Sequence, residues 1–153
     1  MRNQRKLMIE QLDRKLLPFI EAGKIQIPDR GWIFSIRNTL NMTLEQLGRK
    51  LKITRQGVKR IEASEESGTI SLKLLREVGH AMDMRLVYGF VPYHGSITNL
   101  IEVKSFDLAR KIIKRTDHTM MLEDQAIDKE QLKEAEKELA ALIRQELRRA
   151  IWD

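Results

Sequence analysis

Four side chains that can hydrogen-bond to nucleic acid lie close together near the middle of the chain. Arg55, Gln56, Lys59 and Arg60 recur at helical spacing, so they share the outward face of one predicted helix. Three further basic side chains precede them: Arg49, Lys50 and Lys52. A short helix with this face suits the major groove of DNA. The alternative is a solvated basic face on an ordinary helical domain.

Two short helices at an angle are predicted to position these side chains. Thr43 and Thr54 each stand where a hydroxyl can accept an unpaired backbone N–H, and each precedes apolar residues at helical spacing. The apolar face of the first helix consists of Leu44, Leu47 and Leu51, and that of the second of Val58 and Ile61. The basic side chains are therefore expected to point away from the core.

The segment from Thr43 to Glu62 resembles the helix-turn-helix of the Xre/phage-repressor family. It begins Thr-Leu-Glu-Gln-Leu-Gly and, after a turn, continues Ile-Thr-Arg-Gln-Gly-Val-Lys-Arg-Ile-Glu. Gly48 stands where the family has a small residue that lets the helices cross closely. Lys52 replaces the usual turn glycine, which implies either backbone strain of up to about 1 kcal/mol or a slightly different turn. Leu44 replaces a glutamine that touches phosphate in many relatives, so no contact is predicted there.

The resemblance implies base readout by three side chains of the segment. Arg55, Gln56 and Arg60 match the base-reading positions, and arginine can bond to guanine and glutamine to adenine. The predicted phosphate contacts, which provide affinity and salt dependence without sequence information, are Thr43, Lys52 and Lys59. The implied ligand is double-stranded DNA with a palindromic operator.

Apolar spacing predicts that a small bundle surrounds the helix-turn-helix. One helix runs from Trp32 to about Asn41, and another opens at Ser71 and continues through Met82. In the first of these helices Arg37 lies off the apolar face, where it is either solvated or in reach of a phosphate. The segment 84–92 alternates β-branched and aromatic residues, which predicts one strand. It either pairs with the same strand of a second subunit across a dimer axis or pairs with nothing.

Two regions flank this domain, which is predicted to cover residues 28–94. Residues 1–27 form an amphipathic helix, expected to break near Pro18, that either packs on its own domain or serves as a dimer or partner contact. Residues 95–153 are predicted to form helices from Ser96 to about Lys114 and from about Asp128 to Ile151. The fold class is therefore mostly α: a phage-repressor-like helix-turn-helix bundle with one short β-strand and a C-terminal helical extension.

The distribution of charge separates the C-terminal region from the rest. Of the formal net charge of +6, residues 1–30 carry +3, residues 31–94 carry +4 and residues 95–153 carry −1. The positive field that would attract a polyanion thus belongs to the first two-thirds, and a protein partner is expected from Ser96 onward. No apolar run approaches a membrane span and no signal peptide is evident, which favours a cytoplasmic protein without a membrane partner.

No motif in the chain indicates catalysis or a cofactor. There is no cysteine, which excludes disulfides, thiolate nucleophiles and cysteine-ligated zinc. His80, His94 and His118 show no ligand spacing, so no metal site is predicted. Phosphate-binding glycine loops and nucleophile motifs are also missing. The sequence predicts that the protein is not an enzyme.

A second resemblance covers roughly residues 30–125 and concerns the Xre-type family called "mobile mystery protein A". It is carried by Gly31-Trp-Ile33 and Ile36-Arg37, the helix-turn-helix, Val87-Tyr88 through Val91-Pro92, and Met121-Leu-Glu-Asp-Gln125. Such proteins are typically paired with a Fic-domain protein. The resemblance implies an antitoxin that represses its own operon and restrains an AMP-transferring toxin.

Inhibition of Fic proteins generally uses Ser/Thr-x-x-x-Glu-Gly/Asn on a helix. Its glutamate pairs with a toxin arginine and occupies the space of the ATP γ-phosphate. Thr119 and Glu123 match this pattern, although Asp124 replaces the final Gly or Asn, and Thr98 and Glu102 show the same spacing. Glu123 is the predicted inhibitory residue. The alternative function for the whole chain is a protein-binding inhibitor whose helix-turn-helix no longer contacts bases.

Overall fold

A computed structural model describes residues 2–122 and 128–153, and this part of the chain is mostly helical. Seven α-helices follow one another: α1 Arg2–Ala22, α2 Gly31–Thr39, α3 Leu44–Leu51, α4 Arg55–Glu66, α5 Leu72–Ala81, α6 Ile97–Leu122 and α7 Lys129–Glu146. A 3₁₀ helix, Arg149–Trp152, comes last. No described helix combines the length and apolar character needed to cross a membrane.

The chain divides into two compact units, each with its own core. The central unit is Lys24–Gly89 and contains α2 to α5. The terminal unit joins Met1–Gly23 to Phe90–Asp153 and contains α1, α6, α7 and the 3₁₀ helix. The helix α1, which was predicted to belong to a separate N-terminal region of residues 1–27, packs on α6.

The core of the central unit is formed by one face of each of its four helices, as the apolar spacing predicts. Its most buried residues are Ile33, Leu47, Val58, Val78 and Met82. In α5 the hydroxyl of Ser71 accepts the Leu74 N–H at 3.1 Å, which confirms the predicted helix start. The four short helices around one core agree with the expected bundle.

The predicted strand at residues 84–92 is not confirmed. The segment 84–92 follows α5 without regular secondary structure, and the structure has no strand among the residues it describes. Among the described residues, the one amide of this segment that donates to a backbone carbonyl is that of Met84, which donates to Gly79 at 2.8 Å. A strand needs a second strand to satisfy its backbone groups. Within the described part of this chain there is none to pair with.

In the terminal unit, α1 continues through Pro18, so the predicted break near Leu17 is wrong. A proline inside a helix deprives the carbonyl four residues earlier, here that of Arg14, of its N–H donor. Both Arg14 and Pro18 are exposed, so water can satisfy this carbonyl instead. The exposure of this part of α1 therefore lowers the free-energy cost of a proline inside the helix, which the sequence alone suggests is high enough to break it.

The C-terminal helices also differ from their predicted bounds. The helix α6 extends to Leu122 rather than ending near Lys114, and the hydroxyls of Thr116 and Thr119 donate to carbonyls one turn earlier, at 3.1 and 2.9 Å. These bonds satisfy polar side chains that would otherwise favour a turn. The helix α7 ends at Glu146, and the next residue, Leu147, adopts a left-handed conformation with φ of 49°, so the predicted helix to Ile151 is interrupted.

A carboxylate of α1 caps the start of α6. Ser96 accepts the Asn99 N–H at 3.0 Å, as predicted, while Asp13 accepts the Ile97 and Thr98 amides at 2.6 and 3.2 Å and the Thr98 hydroxyl at 2.6 Å. Burial works to raise the pKa of Asp13. The hydrogen bonds from Thr98 and from the Ile97 amide outweigh this and hold the pKa below its usual value.

We predict that Asp13→Ala destabilises the terminal unit by about 1 kcal/mol at pH 7, the usual cost of a lost helix cap. Because the folded-state pKa is lowered, the carboxylate contributes fully above its unfolded-state pKa of about 3.9 and progressively less as pH falls through the folded-state value. Denaturant unfolding followed by Trp152 fluorescence, in a Trp32→Phe background, measures the difference between pH 7 and pH 3.

The control is Asp128→Ala, because Asp128 precedes α7 without making a side-chain cap hydrogen bond. This substitution should change the free energy of unfolding by less than about 0.5 kcal/mol. The proposed cap would be contradicted by equal effects of the two substitutions, or by an Asp13→Ala effect of the same size at both pH values.

Candidate nucleic-acid interface

The turn between α3 and α4 depends on two unusual backbone positions. Lys52 adopts the left-handed conformation, with φ of 58° and ψ of 38°. Of the two predicted alternatives, backbone strain or a different turn, the chain therefore adopts the strained turn. The Ile53 N–H donates to the Gly48 carbonyl at 2.9 Å. A Cβ on Gly48 would lie 2.8 Å from the Ile53 carbonyl oxygen, which is too close. Gly48 therefore permits the close approach of the turn to α3.

Both predicted threonine caps are confirmed. The Thr43 hydroxyl accepts the Gln46 N–H at 3.1 Å, and the Gln46 side chain accepts the Thr43 N–H at 2.8 Å, which completes a capping box. Thr54 accepts the Gly57 N–H at 3.1 Å. Each cap satisfies an N–H that the helix itself cannot bond. The starts of α3 and α4 are thus fixed by local interactions.

The structure leaves the four predicted ligand-binding side chains of α4 exposed. Arg55, Gln56, Lys59 and Arg60 lie on the outward part of the helix, while Val58 is completely buried beneath them. Arg55 approaches Glu45 of α3, with 3.3 Å between Nη1 and Oε1. Within the described part of the chain, Lys59 and Arg60 form no salt bridge. These side chains are free to contact a ligand.

The predicted phosphate contacts of the neighbouring segments are exposed as well. Thr43 and Lys52 are on the surface, as is Thr54 at the start of α4. The amides of Arg55 and Gln56, in the first turn of α4, donate no hydrogen bond within the described residues. A helix start with free amides attracts anions, because the helix dipole adds to the hydrogen bonds.

Arg37 occupies a different environment from the one expected. It is buried, with 9% of its surface exposed, and its guanidinium binds Glu62 of α4, which is 6% exposed. Nε and Nη2 donate to the two carboxylate oxygens at 2.5 and 3.3 Å, and Nη1 donates to the Met42 carbonyl at 2.9 Å. The predictions of a solvated or phosphate-binding arginine are both wrong. Arg37 joins α2 to α4 instead.

A second carboxylate of α4 caps the start of α2. Glu65 accepts the amides of Trp32 and Ile33 at 2.8 and 2.9 Å. Gly31 has φ of +84°, and a Cβ there would lie 2.8 Å from the Glu65 carboxylate carbon. The glycine therefore provides both the conformation and the space that the cap requires.

The helix α4 thus turns two acidic side chains toward α2 and keeps basic ones outside. Sequence reasoning missed Glu62 and Glu65 as positioning residues. Their spacing could have identified them, because they are three residues apart and flank the side of α4 that carries Val58 and Ile61. An unpaired carboxylate beside this apolar side would cost free energy, so each needs a partner. Their counterparts, Arg37 and the start of α2, lie too far away in sequence to be identified by spacing.

The structure describes only one of the two residues predicted to inhibit a toxin. The Thr119 hydroxyl donates to the Arg115 carbonyl at 2.9 Å, within α6. Glu123 lies outside the described residues. No group of three or more histidine, cysteine, aspartate or glutamate side chains that could hold a metal occurs in ranges 2–122 and 128–153.

Comparisons with known proteins do not assign a family. No protein-family model, curated protein or solved structure matches the chain.

We predict that Glu62→Gln lowers the free energy of unfolding of the central unit by about 3–5 kcal/mol, because it leaves the Arg37 guanidinium buried without its counter-charge. Replacing both Arg37 and Glu62 by methionine should lower the free energy of unfolding less than Glu62→Gln alone, since no charge then remains buried. Denaturant unfolding followed by Trp32 fluorescence, in a Trp152→Phe background, measures both.

Glu66→Gln is the matched control, because Glu66 is an exposed glutamate of the same helix. It should change the free energy of unfolding by no more than about 0.5 kcal/mol. If Glu62→Gln were as mild as this control, the buried pair would not hold α4 in place.

Proposed function

We propose that the chain is a sequence-specific DNA-binding repressor of the Xre type, acting in the cytoplasm, whose α4 enters the major groove. The outward face of α4 carries this proposal: four hydrogen-bonding side chains are exposed there, three of them basic. The contacts through Glu62 and Glu65 hold the opposite side of α4 against α2. Major-groove recognition needs such a rigid presentation, because each base contact depends on the register of the helix.

Base contacts are assigned to Arg55, Gln56 and Arg60. Each arginine can donate two hydrogen bonds to guanine, and the glutamine amide can pair with adenine, each worth about 1–3 kcal/mol of discrimination. Glu45 lies within salt-bridge distance of Arg55 on the protein surface. An exposed pair of this kind adds little stability. Its role here is to orient the guanidinium and leave its remaining N–H groups for a base.

Phosphate contacts are assigned to Thr43, Lys52 and Lys59. The Thr43 oxygen accepts the Gln46 amide, which leaves the hydroxyl proton available for a phosphate oxygen. Both lysines are exposed point charges on flexible stems. The free amides of Arg55 and Gln56 at the start of α4 are further donors for the same backbone.

We further propose that two chains bind a palindromic operator as a homodimer. Residues 85–91 make no backbone hydrogen bond within the described part of the chain, and Val87 and Tyr88 are 62% and 57% exposed. Pairing of this segment with its copy would satisfy these groups as a short two-stranded sheet. Two copies of α4 would then face half-sites about 34 Å apart.

An antitoxin role is proposed on the resemblance to "mobile mystery protein A" proteins. In this role the chain neutralises a Fic-type AMP-transferring toxin, and its DNA binding represses the operon that encodes both proteins. Glu123 is the residue proposed to occupy the γ-phosphate space in the toxin. A protein-binding inhibitor without DNA recognition is the alternative, and the left-handed Lys52 favours it, because a strained turn is a departure from the usual glycine.

Replacing Arg55, Gln56 and Arg60 together by alanine should abolish the preference of the protein for its own promoter over a scrambled duplex. The reason is that the lost hydrogen bonds distinguish bases rather than phosphates. Competition binding at one fixed salt concentration measures the preference. Shortening the promoter to one half-site should weaken wild-type binding steeply if two chains bind together.

The control variant, Lys52→Ala with Lys59→Ala, removes the same formal charge as the triple substitution. It should weaken binding to both duplexes equally and reduce the salt slope by about 0.9 per lost phosphate contact. Base recognition by α4 is refuted if the triple variant prefers the promoter as strongly as the wild type does.

Glu123→Ala should release the toxin from inhibition while the two proteins still co-purify, because one carboxylate is lost and the rest of the interface remains. Adenylylation of a target protein by the neighbouring gene product measures inhibition. Glu102→Ala is the control: Glu102 has the same spacing from a threonine but binds Arg144, with Nη1 and Oε1 3.3 Å apart. Unchanged inhibition by Glu123→Ala would remove this residue from the mechanism.

A further inference from the structure

The terminal unit contains a basic groove between α6 and the 3₁₀ helix, with a cavity volume of about 290 Å³. Four cationic side chains line it: Lys104, Arg110, Lys111 and Lys114. Two carboxylates, Asp107 and Asp153, also line it. Residues 95–153 together carry a net charge of −1. The four cations nevertheless follow one another along one stretch of α6, and with the two carboxylates the groove has a positive excess of two.

The three lysines of the groove are exposed and form no ion pair with any residue that the structure describes. Arg110 has only a long contact with Glu136, 3.9 Å between Nε and Oε2. From Lys104 to Lys114 the helix rises by about 15 Å, at 1.5 Å per residue. One DNA strand carries a charge about every 3.4 Å of axis, so this length matches several successive phosphates.

The chemistry of the groove fits phosphate better than a protein surface. The binding energy of protein interfaces comes mostly from tryptophan, tyrosine or arginine anchors in desolvated pockets. Arg110 is the one such side chain in the groove lining, and it is exposed. The apolar groove residues are small or covered: Ala150 is a single methyl group, Leu108 is half-buried and Ile151 is 6% exposed. Lysines on flexible stems suit a regular row of charges that carries no sequence information.

We propose that this basic groove of the terminal unit binds the DNA phosphate backbone. This inference rests on the proposed function, because binding by α4 raises the effective concentration of DNA near the second site. Asp107 and Asp153 repel phosphate, so the groove is weak by itself. It strengthens the binding of DNA that α4 already holds.

The test uses the full chain with Lys104→Gln, Lys111→Gln and Lys114→Gln. Binding is measured against salt on a promoter duplex extended by about two helical turns at each end, so that backbone beyond the operator is available to the groove. On the extended duplex the slope of log affinity against log salt should fall by about 2.7, or 0.9 for each of three lost phosphate contacts. The preference for the promoter should remain, because phosphate contacts carry no sequence information.

The control replaces Lys129, Lys133 and Lys137 of α7 by glutamine, since these lysines are also exposed and carry the same charge. Equal losses in the two variants would overturn the proposal, because general attraction would then explain both. Unchanged binding of the groove variant to the extended duplex would also overturn it. The proposal would also be overturned if the groove variant lost affinity for an acidic protein partner while its binding to DNA stayed the same.

Failure of the groove can be distinguished from failure of the proposed function. If wild type shows no promoter preference, base recognition by α4 fails, whatever the groove variant does. If the preference is present and the extended duplex gives no difference between wild type and groove variant, only the groove proposal fails.

Discussion

The buried pair of Arg37 and Glu62 determines how α4 sits on the central unit. One guanidinium binds the α4 carboxylate and the Met42 carbonyl together, so α2, α4 and the connection before α3 cannot shift independently. Such a pair adds little net stability relative to apolar residues, but removing one partner costs about 3–5 kcal/mol. Its main contribution is therefore geometric: it fixes the register of the helix that carries the proposed base contacts.

The helix α4 has three kinds of surface, and each has a separate physical role. Val58 fills the core, Glu62 and Glu65 bind α2, and the remaining side carries exposed cations. Because both carboxylates are occupied by Arg37 and by the start of α2, they are turned away from the proposed DNA surface. Substitutions on the three surfaces should consequently affect packing, orientation and DNA binding separately. Each of these three roles can therefore be tested by substitutions on its own surface.

Local features were predictable from the sequence, whereas features that depend on distant partners were not. The caps at Thr43 and Thr54 involve residues three apart, and the apolar spacing identified all four helices of the central unit. Arg37 and Glu62 are 25 residues apart, so nothing in the local pattern showed that they would meet. The continuity of α1 at Pro18 likewise depends on exposure, which spacing does not encode. The face of α4 was expected to be exposed, and it is.

The proposed role of α4 can be tested most directly by NMR on the isotopically labelled protein titrated with promoter duplex. If α4 reads bases, the guanidinium resonances of Arg55 and Arg60 and the amides of the first turn of α4 should change most. The buried Arg37 guanidinium should retain its resonances, because its bonds to Glu62 persist in the complex. Large changes elsewhere, with the α4 resonances unaffected at saturating DNA, would contradict major-groove binding by this helix.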